Sequence, residues 1–211
     1  MKARWLVDEH LSRLIQALRD RGYRVLAPFQ QPDGNTAFDP VGNPPREPLQ
    51  LHLANPLDPP RRHVFPAVER LLLARPGQNG APPDASTPSP KIALLGIRSC
   101  DIAGIRHLDR FYLEGAFRDP YYAARRSGLL LVNVVCSDPN RDVGPNCFCL
   151  CTDTGPAARE GFDLQLMDLH DGQWMAVAGS ETGEQLLGEP FFQTIAPHHV
   201  ARRRDLLQHV R

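Results

Sequence analysis

Cysteine is absent from most of this chain, because residues 1–99 and 152–211 contain none. The five cysteines are Cys100, Cys136, Cys147, Cys149 and Cys151. Three of them therefore crowd into five residues, and the other two each follow an apolar run that is typical of a β-strand. Thiolate is the ligand that soft metal ions and iron–sulfur clusters require, so the distribution predicts a metal or cluster site.

The chain also lacks net charge and long apolar runs. Lys and Arg together number 24, as do Asp and Glu, so no overall field attracts nucleic acid or an anionic membrane. No apolar run approaches the roughly 18 residues of a spanning helix, and no apolar segment of signal-peptide length follows Met1. An odd number of cysteines without a secretion signal favours reduced thiols. We therefore expect a cytoplasmic protein that neither binds nucleic acid nor inserts into a membrane.

Motifs for nucleotide binding and hydrolysis are missing as well. No G-x-G-x-x-G follows a strand, no phosphate-binding loop with G-K-[ST] occurs, and no Ser/His/Asp arrangement is recognisable. The C-x-x-C spacing of redox-active thiols is also absent. The cysteines are therefore the main indication of function.

The first ninety residues predict a helix, short strands and proline-rich loops. We expect a helix over 8–22 with Asp8 as its N-cap, a strand over 23–27 that ends at Pro28, a loop-rich stretch over 29–62 with one strand at 49–53, a helix over 67–75 and an exposed, mobile loop over 76–90.

The pattern from residue 91 onward is that of a β-α-β unit followed by a hairpin. We expect strands over 91–96, 129–135, 162–168 and 174–178, and helices over 101–113, from Pro120, from Ser180 and over 197–211. A β-α-β crossover favours parallel pairing. The fold class we expect is α/β: a small, mostly parallel sheet with flanking helices, a proline-rich N-terminal embellishment and a cysteine-rich loop at one sheet edge.

Two cysteines are predicted to meet at the carboxyl edge of that sheet. Cys100 and Cys136 follow what we take to be adjacent parallel strands, and this edge is where open α/β sheets build their sites. The C-F-C-L-C segment can fold back over the same edge. Residues two apart in an extended segment are spaced for two irons of a cluster better than for one small ion. We expect Asp101 to be the N-cap of the next helix, so that Cys100 faces the helix dipole with Arg98 nearby.

A four-cysteine zinc site is the nearest alternative. Structural zinc prefers pairs of cysteines two to four residues apart, whereas this chain has C-x-C and two isolated cysteines. The chain could then be a non-redox assembly or scaffold subunit, in which zinc or bare thiols only brace the loop.

Several motifs occur in an order that resembles a known family. They are Gly96-Ile-Arg-Ser-Cys-Asp101, Asp119-Pro-Tyr-Tyr122, Arg125-Arg126, Val135-Cys136, Cys147-Phe-Cys149 and Thr154-Gly-Pro156. The chain resembles the N-terminal domain of the iron–sulfur beta subunit of sulfhydrogenase-type nickel–iron hydrogenases, and the A subunit of anaerobic sulfite reductase is similar. The resemblance runs from about Pro59 to Gly183, and the G-x-R-x-C-D and C-F-C elements are its most specific parts.

The resemblance implies an electron-transfer subunit with no catalytic activity of its own. It would hold one 4Fe–4S cluster and pass electrons between a flavoprotein that handles NAD(P)H and a catalytic partner, such as a hydrogenase or reductase subunit. The family's cysteines fall on Cys100, Cys136, Cys147 and Cys149, whereas Cys151 stands where the family has a small polar residue.

The chain departs from the family in two places. The family continues into a ferredoxin-like domain with two C-x2-C-x2-C-x3-C-P runs, which are absent here, so the full electron path would need a separate ferredoxin-like subunit. Residues 137–146 also form a longer spacer than usual. We expect a single iron–sulfur domain over 1–211, made of an N-terminal helix and strand portion (1–75), a mobile loop (76–90), a cysteine-bearing α/β core (91–183) and a helical tail (184–211).

The position of the cysteines also predicts a hetero-oligomer. Loops that bind a cluster at a sheet edge lie near the surface, and an exposed cluster is useful when another redox centre docks against it. We expect the face formed by 98–101 and 136–151 to point toward a redox partner. Arg98 and Arg141 would favour an acidic partner and offset the cluster's charge.

Overall fold

The computed structural model describes residues 2–42, 49, 51–52, 56, 58–69, 73–75, 77–81, 90–137 and 147–210. Within them, the strands are β1 (Ala3–Val7), β2 (Arg24–Gln30), β3 (Thr36–Pro40), β4 (Leu73–Arg75), β5 (Gln78–Ala81), β6 (Ile92–Ile97), β7 (Leu129–Val134), β8 (Leu164–Asp168), β9 (Gln173–Ala178) and β10 (Gln193–Thr194). The helices are α1 (Leu11–Asp20), α2 (Ser99–Leu113), α3 (Pro120–Ser127), α4 (Glu181–Leu186) and α5 (Pro197–His209), with 3-10 turns at Asp8–His10 and Pro60–His63.

One mixed sheet of eight strands organises the chain, in the order β10-β1-β9-β8-β7-β6-β2-β3. Its central strands are parallel: β2 pairs in parallel with β6, β6 with β7, and β7 with β8. Antiparallel strands extend it on both sides. The α/β class and the parallel centre are thus confirmed, but the sheet is larger and more mixed than the small, mostly parallel one expected.

Helices cover both faces of this sheet. The alternation of side chains along β7 sends Leu130 and Val132 toward α1 and α4, and Leu129 and Leu131 toward α2 and α3. A third cluster packs Leu206 of α5 against β8 and β9. Each buried leucine of this kind contributes about 1.5–3 kcal/mol, so the core between the layers depends on apolar burial. No helix in the described ranges is long and apolar enough to cross a membrane.

The N-terminal expectations needed the most correction. Residues 3–7 form a strand that the sequence did not indicate, and the following helix begins at Leu11, with His10 rather than Asp8 at its N-cap position. Strand β2 continues through Pro28 to Gln30 and pairs with β3, where only a loop was expected.

The segment from residue 49 to residue 90 also differs where it is described. Leu51 and His52 lie in a turn rather than a strand, residues 67–69 are not helical, and 73–75 and 78–81 pair as β4 and β5. Residues 50, 53, 70–72, 76 and 82–89 of the expected strand, helix and loop lie outside the described residues.

The C-terminal half follows the sequence closely. The β-α-β unit is present as β6, α2, α3 and β7, and β8 and β9 pair as the expected hairpin. Asp119 caps α3 by accepting hydrogen bonds from the N–H groups of Tyr121 and Tyr122. Ser180 caps α4 through the N–H of Gly183, as its position before Glu181 indicated.

Candidate functional site

The carboxyl ends of β6 and β7 lie side by side, with Ile97 paired to Asn133. Cys100 therefore lies in the first turn of α2, and Cys136 lies two residues beyond β7, at the same edge of the sheet. The parallel pairing expected from the sequence is the reason that the two thiols are neighbours.

A buried polar network holds these strand ends together. The Asn133 side chain is fully buried, and its Nδ2 donates to the carbonyl of Ile97 at 2.9 Å and to Ser99 Oγ at 3.3 Å. Ser99 Oγ donates to the carbonyl of Pro156 at 2.8 Å, and the same carbonyl accepts the N–H of Cys136 at 3.3 Å. The network thus joins β6, β7, the start of α2 and the loop that follows the last cysteines.

The loop that carries Cys149 and Cys151 is folded into a compact turn. The N–H of Thr152 donates to the carbonyl of Phe148 at 3.1 Å, and the N–H of Thr154 to that of Cys149 at 2.8 Å. The turn brings Gly155 against Cys149, because a Cβ on Gly155 would lie 2.9 Å from Cys149 Sγ and 3.9 Å from Ser99 Cβ. Only glycine leaves Cys149 this close to the first turn of α2.

Three thiols consequently share one electrostatic environment. Burial raises the pKa of Cys100 to about 12, with further contributions from Asp101, Cys136 and Cys149. Burial also raises the pKa of Cys149, and the neighbouring Cys147 and Cys151 add to that effect. The expected proximity to the helix dipole does not leave Cys100 ionised, because removal from water and the nearby anionic groups outweigh it.

The two remaining cysteines are more accessible. Cys147 and Cys151 are exposed, whereas Cys100, Cys136 and Cys149 are half-buried, and all five are thiols rather than disulfides. In the part of the chain that the structure describes, no three His, Cys, Asp or Glu side chains are arranged to hold a single metal ion. Residues 138–146, which join Cys136 to Cys147, lie outside that part.

The start of α2 differs from expectation. Arg98, not Asp101, occupies the N-cap position, and Ile102 donates its N–H to the carbonyl of Arg98 at 3.1 Å. Asp101 is the third helical residue, and its carboxylate accepts a hydrogen bond from the backbone N–H of Arg98, which is half of a capping box. Burial raises the pKa of this carboxyl to about 6.

Arg98 is also placed differently from the expected partner-facing cation. Its side chain is only 3% exposed, and its Nη1 donates toward Cys136 Sγ at a distance of 3.8 Å. The guanidinium therefore faces the thiols and is not available to an acidic partner at the surface. Arg141, the second expected cation, lies outside the described residues.

Sequence reasoning missed the residues that support the thiols. Asn133, Ser99 and Gly155 were not singled out as part of the site. A signal was present for Asn133, since it is the single polar residue in the run Leu129–Val135, and a buried amide in a central strand needs specific partners.

The donor set is chemically suited to an iron–sulfur cluster. Burial favours the neutral thiol form of Cys100 and Cys149, because it raises the pKa of both, whereas bound iron would supply the positive charge that favours their thiolates. Cys100, Cys136, Cys147 and Cys149 are the residues that would hold such a group, and the turn at Gly155 leaves Cys149 space beside α2.

Together these features define a class of protein: an α/β domain with a group of thiols at the carboxyl edge of its central parallel strands. The chain is 38% identical over 100 residues to sulfhydrogenase 2 subunit beta of Pyrococcus furiosus, and the match covers 47% of this chain. Over that stretch, the chain is similar to this sulfhydrogenase beta subunit.

The match covers only part of the relative. The chain spans 27% of the length of the Pyrococcus furiosus subunit. No model of a protein family matches the chain, and no solved structure matches it. The similarity therefore rests on this one stretch of sequence and on the motifs around the thiols.

Proposed function

We propose that this chain is an electron-transfer subunit that holds one 4Fe–4S cluster on Cys100, Cys136, Cys147 and Cys149. The observation that carries the proposal is the convergence of Cys100, Cys136 and Cys149 from two strand ends and a separate loop, in a chain related to a sulfhydrogenase subunit. A 4Fe–4S cluster supplies one-electron chemistry without moving substrate atoms. The cluster would relay electrons between a flavin or NAD(P)H module and a catalytic partner, such as a hydrogenase or sulfite reductase, in the cytoplasm.

The chain's own residues have two functions in this proposal. The network around Asn133 fixes the distance between the two strand-end thiols, so little rearrangement accompanies a change of charge. The half-buried positions of Cys100, Cys136 and Cys149 remove part of the water around these thiols, which strengthens the electrostatic interactions of the site.

The test is to purify the full chain without oxygen and measure its iron, sulfide and zinc contents and its visible spectrum. We expect about four irons and four sulfides per chain, with a broad sulfur-to-iron absorption that dithionite bleaches. A colourless protein with stoichiometric zinc would support the scaffold alternative and reject the electron-transfer proposal.

The same proposal predicts where a redox partner docks. Phe148 and Leu150 alternate with the three clustered cysteines and are 66% and 45% exposed, so they present apolar surface directly beside the thiols. We propose that the face comprising 98–101 and 136–151 contacts the partner subunit, which covers these side chains and shortens the path for the electron.

Photo-crosslinking of the native complex tests this docking face. A photoreactive residue at Phe148 should crosslink a subunit that carries a redox centre, whereas one at Gln208, an exposed residue of α5, should not. Crosslinks from Gln208 alone would mean that another face makes the contact and that the cysteine edge is not an electron exit.

A further inference from the structure

One face of α2 forms the wall of a cavity next to the cysteine edge. The α2 residues that line it follow a spacing of three and four, which places them on one side of the helix: Ser99, Ile102, Ala103, Arg106, His107 and Arg110. The opposite wall is the loop of residues 153–160. The cavity has a volume of about 310 Å³, within the range of small-molecule sites. No cysteine is among its described lining residues, so it is separate from the proposed cluster site.

Two contacts hold the loop of residues 153–160 against α2. Ser99 Oγ donates to the carbonyl of Pro156 at 2.8 Å. Directly after the loop, Gly161 (φ +87°) lies against the stem of Arg106, because a Cβ added to this glycine would collide with Arg106 Cδ. Both walls are thus fixed before any ligand enters, so binding does not have to supply the free energy that orders them.

The cavity combines a small apolar lining with an excess of positive charge. Its apolar side chains are buried or half-buried, and they are Ile102, Ala103, Ala157 and Ala158. Its charged side chains are half-buried or exposed, and they are the guanidiniums of Arg106, Arg110 and Arg159 and the carboxylates of Asp153 and Glu160. Three cations therefore face two anions, and the imidazole of His107 adds a further polar group. This balance favours an anionic ligand.

The two carboxylates occupy only part of the hydrogen-bonding capacity of the arginines. Arg106 Nη1 pairs with Glu160 at 2.6 Å, and Arg159 Nη2 pairs with Asp153 at 2.7 Å. The side chains of Glu160 and Asp153 are 64% and 68% exposed, so water weakens both pairs. A guanidinium has five N–H donors, and each of these pairs uses one nitrogen. Donors therefore remain for an anion that enters the cavity.

We propose that this cavity binds a phosphate group, either as free phosphate or as the phosphate of a small organic molecule. The planar fork of a guanidinium matches two oxygens of a phosphate, and arginines stand on both walls, with Arg106 and Arg110 on α2 and Arg159 on the loop. The organic part of a ligand would pack on the apolar lining. Because Ser99 and Thr154 line the cavity and adjoin the turn of Cys149, the ligand would lie beside the candidate cluster site. The inference does not depend on the cluster.

The experiment is isothermal titration calorimetry of the full chain, purified without oxygen, at one fixed ionic strength. The probes are inorganic phosphate, adenosine diphosphate and adenosine. We expect one site per chain for a phosphate-bearing probe and much weaker binding of adenosine, which lacks the anion. Equal affinity for inorganic phosphate and adenosine diphosphate identifies the free anion as the ligand, whereas tighter binding of adenosine diphosphate identifies an organic phosphate. Absence of binding by both phosphate-bearing probes overturns the inference, as does adenosine that binds as tightly as its diphosphate.

Two kinds of substitution should change the affinity in opposite directions. Arg106→Gln and Arg110→Gln should each weaken binding about tenfold, because each removes a charged donor to the phosphate. Glu160→Gln should strengthen binding, since it removes the carboxylate that competes for Arg106. A purely structural role of these residues would not produce the two opposite signs. Unchanged affinity in both arginine variants, or weaker binding in Glu160→Gln, is the contrary result.

Arg13→Gln is the matched control. Arg13 is an exposed arginine on α1, and α1 packs on the other face of the sheet, so its loss should leave the affinity unchanged. A loss in Arg13→Gln as large as that in Arg106→Gln would mean that the anion is attracted by charge in general, and the inference would fail. If Arg106→Gln does not fold, Arg110→Gln decides, because Arg110 is exposed. Iron and sulfide contents of the same preparations test the proposed function separately, since either result can fail without the other.

Discussion

Serine at Cys100, Cys136, Cys147 or Cys149 is expected to remove the cluster or convert it to a form with fewer irons. Each substitution replaces a thiolate with a hydroxyl, which is a much poorer ligand for iron in such clusters, and four thiolates complete the coordination of a 4Fe–4S cluster. Iron and sulfide content after anaerobic reconstitution, together with the visible absorption per chain, measures the effect. We expect a loss of more than half of the absorption for each variant.

Cys151→Ser is the matched control for this series. Cys151 belongs to the same turn, two residues from Cys149, and is exposed like Cys147. We expect this variant to keep a full complement of iron and sulfide. Loss of the cluster in Cys151→Ser, with retention in any one of the other four, would mean that the set of ligands has been assigned incorrectly.

Asn133→Leu is expected to lower both stability and cluster content. The substitution keeps the approximate size of the side chain but removes the donor to the Ile97 carbonyl and to Ser99 Oγ. A buried acceptor left without its partner costs about 1–3 kcal/mol, which denaturant unfolding of the apoprotein can measure. Because the same network fixes the two strand ends, we also expect incomplete loading of the cluster.

Leu131→Ala is the control that separates a loss of stability from a loss of cluster loading. Leu131 lies on the same strand and is fully buried, but its side chain packs in the apolar core. Its truncation should cost about 2–5 kcal/mol through the cavity that it leaves. We expect this variant to load a full cluster at temperatures where it is folded. Equal loading of both variants would show that the Asn133 network stabilises the fold without positioning the thiols.

The C-terminal half of the fold was predicted from the sequence, because there the local sequence pattern favours the same elements as the tertiary packing does. Apart from Asn133, the run at Leu129–Val134 is apolar on both faces, as is typical of a central parallel strand, and turn residues connect β8 to β9. Strand β3 gave no such signal, because Thr36–Pro40 contains Asp and Pro and owes its conformation to pairing with β2.

Pro28 was misleading for a related reason. Proline ends most strands because it cannot donate to a neighbouring strand. Here β6 pairs only with Arg24–Leu26, so Pro28 has a strand neighbour on one side, and β2 continues along β3. A sequence alone does not reveal how far each neighbouring strand extends.

For the candidate site, the sequence predicted that Cys100 and Cys136 lie near each other, but it did not predict the residues around them. Both cysteines were expected to follow the ends of adjacent parallel strands. Cys100 and Cys136 do so, because the parallel pairing of β6 with β7 brings those ends together. The inward direction of Arg98 followed from the capping contact of Asp101, which fixes the backbone where α2 begins. Side-chain direction at such a junction depends on tertiary contacts, and no local pattern encodes it.

The dispersal of the thiols along the chain has a consequence for biosynthesis. Cys100 leaves the ribosome about fifty residues before Cys149, and the two strand ends meet only after β7 has paired with β6. No nascent segment can collect the set by itself, so the proposed cluster would have to be assembled on a chain that is already folded. The apolar clusters on the two faces of the sheet contain none of the cysteines. We therefore expect iron-starved cells to accumulate an intact, empty precursor that awaits its cofactor rather than a misfolded one.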